Sequence, residues 1–111
     1  MALTSGALNL MLDAFAAAAT HVSLHTAEPS GAGSNEVSGG SYTRELSGWA
    51  AAGSGSVVNS GDIVFDVPSS TTISHIGYWS ASTAGTFYGW RVLDTSQTFA
   101  TAGTYTIVSG N

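Results

Sequence analysis

The chain has 111 residues, 8% of them charged against about 25% in ordinary soluble domains, and a formal net charge of −5. It contains no lysine and no cysteine, and Arg44 and Arg91 are its only permanent cations. These counts exclude nucleic-acid binding driven by phosphate contacts, a polybasic membrane patch, a disulfide framework and a thiolate metal site.

The length predicts one domain over residues 1–111. The longest apolar run, Ala14 to Ala19, is far short of the roughly 20 residues that a membrane span needs, and it is mostly alanine. The start lacks a basic n-region and Asp13 interrupts the Ala-rich segment, so a chain made in a host cytoplasm and kept whole is expected.

Residues 4–19 read as a helix. Thr4 or Ser5 can cap it, and Leu8, Met11, Leu12, Phe15 and Ala19 recur at helical spacing. Asn9 and Asp13 mark a polar side, and the alanines allow close approach of a neighbour. Such a helix either covers a sheet or docks onto a partner subunit.

From residue 21 onward the pattern is β. Val22 and Leu24 alternate with polar neighbours. Strands are expected over 42–46, 56–59, 62–67, 72–80, 86–93 and 105–108. Turns fall at Glu28-Pro29-Ser30-Gly31, Ser38-Gly39-Gly40, Asn59-Ser60-Gly61-Asp62 and Ser82-Thr83-Ala84-Gly85. Short strands at this turn spacing, after one N-terminal helix, predict a mainly β chain: an antiparallel β-sandwich or barrel-like domain.

The chemical readings are thin. His21 and His25 lie four apart, but on a strand that spacing spans roughly 13 Å, too far for one metal ion. No Gly-x-Ser-x-Gly elbow is present for a serine nucleophile. The carboxylates are scattered, and the glycine-rich loops lack the lysine of a phosphate-binding loop. A non-enzymatic protein without cofactor or metal is expected, with no catalytic residues.

The aromatics are more informative. Tyr78-Trp79 and Phe87-Tyr88-Gly89-Trp90 fall on paired strands, and neighbouring residues on a strand point to opposite faces. One face is core. The other serves as more core, as a subunit interface or as a sugar-binding platform. Each arginine is expected to find a carboxylate, and for Arg44 that partner lies elsewhere than the adjacent Glu45.

One stretch carries a resemblance. Thr26-Ala27-Glu28-Pro29 is followed by Asn35-Glu36-Val37-Ser38-Gly39-Gly40-Ser41-Tyr42-Thr43-Arg44, after a helix and a first strand. Later come Gly77-Tyr78-Trp79, Gly85 and Phe87-Tyr88-Gly89-Trp90. The order resembles that of small bacteriophage virion structural proteins, described as tail-fibre, minor tail or capsid decoration proteins.

The resemblance implies a virion protein with no catalytic residues. The primary expectation is capsid decoration: a homotrimer on the capsid exterior that binds the major capsid protein and reinforces the shell. The alternative is a tail-fibre or minor tail component, including one that binds host-surface carbohydrate. Composition and aromatic content nominate Glu28, Pro29, Asn35, Glu36, Tyr42, Arg44, Trp79 and Trp90 as interface residues.

Overall fold

A computed structural model describes residues 2–110. Helix α1 spans Ser5–Ala18 and begins where the Thr4 hydroxyl accepts the Ala7 N–H at 3.2 Å. It ends at Ala19, whose N–H still donates to the Phe15 carbonyl, before Thr20, His21 and Val22 extend the backbone.

Six strands follow: β1 His21–His25, β2 Glu45–Leu46, β3 Ile63–Val67, β4 Thr71–Trp79, β5 Phe87–Phe99 and β6 Gly103–Ile107. They form a four-stranded sheet in the order β2-β1-β4-β5 and a two-stranded sheet, β3-β6. Every pairing is antiparallel. The fold is therefore mainly β, as expected, with two sheets facing each other as in a sandwich.

Alternation decides the layers. Ile63, Phe65 and Val67 of β3 are buried, while Val64 and Asp66 face solvent. They meet Val22, Leu24, Ile73 and Ile76 from the larger sheet and Ile107 from β6 in one core cluster. Strand β1 is buried on both sides, so its Ser23 and His25 need cover on the outer face of the larger sheet. Residues 26–44 supply it.

The helix departs from expectation. Phe15 packs edge-on against Trp49, Tyr78 and Tyr88 at centroid distances of 5.8–6.3 Å. Asn9 and Asp13 do mark a polar side, on which Asp13 is exposed and Asn9 half-buried. They accept the Gly55 and Ala52 N–H groups of the irregular segment that follows β2. Met11, expected to face inward, is 52% exposed, and Leu10 is 75% exposed.

Three strand expectations also change. The strand expected over 42–46 is only Glu45–Leu46, with residues 42–44 left in the preceding loop. Residues 56–59 form no strand. Only isolated bridges, Trp49–Asn59 and Gly53–Ser56, tie that segment. The buried Asn59 side chain donates to the Gly61 and Val108 carbonyls in place of a ladder. Strand β5 runs six residues past the expected end, because β4 pairs with it as far as Thr71–Phe99 across an irregular register.

Candidate functional site: a loop clamped on the outer sheet face

The segment 26–44 between β1 and β2 lies across β1, β4 and the start of β5. Its hub is Arg44. The Nε and Nη2 groups donate to Glu36 Oε2 and Oε1, each at 3.0 Å, in the two-pronged geometry that guanidinium favours. Nη1 donates to the carbonyls of Ala81 at 3.0 Å and Ala84 at 2.9 Å. The guanidinium also stacks 3.6 Å from the centroid of the Trp79 ring. One side chain thus joins the loop to the β4–β5 turn.

The ion pair is largely enclosed: the Arg44 and Glu36 side chains are 9% and 22% exposed. Glu36 Oε2 also accepts the Tyr42 hydroxyl at 2.9 Å, and the Tyr42 oxygen accepts the Leu24 N–H at 3.0 Å. Burial pushes the Tyr42 phenol up, so the ring stays protonated and donates to the carboxylate. The same ring stacks on Phe65, which links the loop to the second sheet.

A second network lies beneath. Trp79 Nε1 donates to Ser23 Oγ at 2.8 Å, and Ser23 Oγ meets His25 Nε2 at 2.6 Å. His25 Nδ1 lies 2.8 Å from the Ser34 carbonyl, which can only accept. The imidazole is therefore the neutral Nδ1–H tautomer, with Nε2 accepting from serine. Burial lowers the His25 pKa below its ordinary value; the Ser34 carbonyl and Glu36 oppose that shift, and Arg44 and His75 add to it. A serine hydroxyl on an imidazole is the geometry of a nucleophile and base. Here both residues are fully buried beneath the loop, so substrate cannot reach them.

Two glycines make the close fit possible. Gly33 adopts φ +72°, and a Cβ there would strike the Trp79 ring. Gly77 lies under the network, where a Cβ would sit 2.6 Å from both His25 Nε2 and Ser23 Oγ. Among the described residues, no buried side-chain polar atom lacks a hydrogen-bond partner.

The nominated interface residues divide clearly. Pro29 is fully buried, Trp79 is 8% exposed, and Arg44, Glu36 and Tyr42 are held inside the clamp. These five are wholly or partly enclosed and shape the loop. Glu28 and Asn35 are exposed, and the Asn35 amide donates to the Glu28 carbonyl at 3.1 Å, with φ +65° at Asn35. Trp90 stands apart on β5, 39% exposed, with its ring edge-on to His75 at 5.4 Å.

Among the described residues Arg91 has no carboxylate within ion-pair distance. It lies near Tyr78, whose pKa burial raises, a shift that the Arg91 charge opposes. Sequence reading missed Ser23, His25, Gly33 and Gly77 as parts of the site. The sequence carries no signal for them: Ser23 and His25 alternate with Val22 and Leu24 as on a half-exposed strand, yet both are fully buried.

The outer surface of the clamped loop is small and polar: Thr26, Ala27, Ser38, Gly39, Gly40, Ser41 and Thr43 are all exposed. Among the described residues no group of three or more His, Asp or Glu side chains is placed to hold a metal ion. Among the described residues no helix is long and apolar enough to cross a membrane.

No curated protein matches the sequence significantly. The profile of the family described as Podophage GP4 fiber I protein gp80 matches residues 2–111. The order of helix, first strand, Glu-Pro turn and Tyr-x-Arg clamp thus runs through a match over nearly the whole chain, which belongs to the Podophage GP4 fiber I protein gp80 family of phage virion fibre proteins.

Proposed function

We propose that this chain is a non-enzymatic structural component of a phage fibre, and that its clamped 26–44 loop is the surface it presents to another virion protein. The family match over residues 2–111 carries the fibre reading. The loop is the favoured surface because the fold invests its enclosed ion pair, a cation–π stack and a buried histidine network in fixing that segment's shape. Ordering a loop before contact removes a cost that binding would otherwise bear.

Decoration of the capsid, the expectation from composition, has less support. The matched family is described as a fibre protein, and neither the low charge nor the polar loop is particular to a shell. A tail-side virion protein replaces the major capsid protein as the proposed partner, and the proposed location is the tail rather than the capsid exterior. The proposal includes no nucleic acid, membrane or cofactor.

Quantitative mass spectrometry of purified particles tests this reading. A few to a few tens of copies per particle, with label at the tail in electron micrographs, is the expected result. A copy number near that of the major capsid protein would return the chain to the shell, as symmetric coverage requires.

A further inference from the structure

The two sheets do not close on each other. Followed around the fold, the larger sheet runs β5, β4, β1, β2. Strand β3 adjoins β2, and β6 pairs with β3. The two ends of this circuit, β5 and β6, are not paired with each other. A groove of about 220 Å³ lies between them, lined by Arg91, Leu93, Asp94 and Thr95 of β5 and by Tyr105 of β6. The rim of the core shows there, since Leu93 and Tyr105 pack against the core cluster but are only half-buried. Arg91 stands directly opposite the buried Ile76 of β4 and so shares the core side of the sheet, yet it is exposed.

Both strand edges at this gap are open backbone. Among the described residues, the only backbone hydrogen bonds to β5 and β6 come from β4 and β3. Neither strand carries the proline or lysine that commonly guards an exposed edge. The register shift between Ile73 and His75 interrupts the β5 ladder. Strand β6 pairs with β3 without a break from Ile107 to Gly103, so its free edge is the regular one. We propose that an extended strand of a different protein enters this gap, pairs with the free edge of β6 and joins the two sheets.

The gap specifies its occupant. A row of backbone donors and acceptors is matched by another extended backbone in register. The chain has no spare segment for it, because residues 2–110 are placed elsewhere. A second copy brings another net charge of −5 and is repelled. Alternate residues of the incoming strand face inward, where Leu93 and Tyr105 call for apolar side chains. Arg91 calls for one carboxylate among them, since it has no carboxylate partner among the described residues. This inference rests neither on the 26–44 loop, which covers the outer sheet face, nor on the fibre reading, so each can fail alone.

Titration of the isotope-labelled whole chain with two synthetic peptides, followed by amide chemical shifts, tests it. The first peptide is Thr-Val-Thr-Val-Thr-Glu-Thr-Val-Thr, with valines and one glutamate on a single strand face. The second has lysine in place of the glutamate. The first peptide should shift and protect the amides of Gly103 to Ile107, and bind at least about tenfold more tightly than the second. Arg91→Glu, at an exposed position, should reverse that preference with an unchanged circular dichroism spectrum. No shift on β6 up to roughly 1 mM of the first peptide overturns the proposal. Equal binding of both peptides, or shifts confined to β2 or to the 26–44 loop, also overturns it. So does a peptide-free protein of twice the 11.2 kDa protomer mass whose β6 amides are already protected, because a second copy then fills the gap.

Discussion

Replacing Arg44 by alanine removes a bidentate pair with Glu36, two bonds to the Ala81 and Ala84 carbonyls and the stack on Trp79. Breaking a buried pair by deleting one partner costs about 3–5 kcal/mol, because the other charge is left uncompensated. Here Glu36 is 22% exposed and keeps the Tyr42 hydroxyl, so water and tyrosine recover part of that cost. The freed carbonyls lie at an exposed turn and can bind water. A loss of about 2–4 kcal/mol follows, out of the 5–15 kcal/mol typical of a folded domain. At about 2.1 cal/mol/K of unfolding entropy per residue, 111 residues give roughly 4 °C per kcal/mol, so the melting temperature should fall by about 9–17 °C. Urea unfolding followed by tryptophan fluorescence and circular dichroism reads the change. Arg44→Lys keeps the charge but loses the fork, and should recover less than half of the loss. A deficit below about 0.5 kcal/mol for Arg44→Ala would mean that the pair acts as an exposed surface bridge, and the clamp argument would fail.

Other perturbations address other parts of the account. Gly33→Ala combines a left-handed backbone with a collision against Trp79, and a loss of at least about 2 kcal/mol in urea unfolding is expected; a neutral substitution would contradict the close approach. His25 has a lowered folded pKa, so above about pH 6.5 both states hold it neutral and it adds no pH dependence. Below that the unfolded state binds the proton first, and stability falls with pH until the folded pKa is passed. Chemical shifts of the imidazole should show His25 titrating below about 6.5, and a value at or above it would refute the buried neutral assignment. Trp90→Ala, at a half-exposed ring, should cost less than about 1 kcal/mol in thermal unfolding. A loss of folding would return Trp90 to the core.

How far the sequence carried the fold can be seen at particular residues. The capped helix, the Val22-Leu24 strand and the β4–β5 hairpin were legible, because local spacing sets them. The strand expected at 56–59 was not formed, since two valines among glycine and serine bury too little to hold a ladder. The outer half of β5, Asp94 to Thr98, has no apolar alternation, and its extension is imposed by pairing with β4. The polarity of α1 was legible except at Met11, which is exposed; that Asn9 and Asp13 also accept backbone N–H groups of a distant segment depends on contacts about forty residues away.

The site was half legible. The Asn35-to-Arg44 run pointed to an ordered loop and to a partner for Arg44 other than Glu45, and Glu36 fills that role. The roles of Ala81, Ala84 and Trp79 depend on contacts across some forty residues of chain, which no local pattern encodes. The exposed face of Trp79 expected from alternation is absent because the loop itself covers it.

Amide hydrogen exchange on the isolated protein tests the central claim, a loop whose shape is fixed before any partner arrives. The Thr26, Ser34 and Val37 N–H groups donate to the Asn35, Pro29 and Leu24 carbonyls. They should exchange as slowly as the amides of β1 and β4, at a free energy near that of global unfolding. Exchange at the rate of an unstructured segment would mean that the loop is ordered only on contact, and the preformed surface proposed here would not exist.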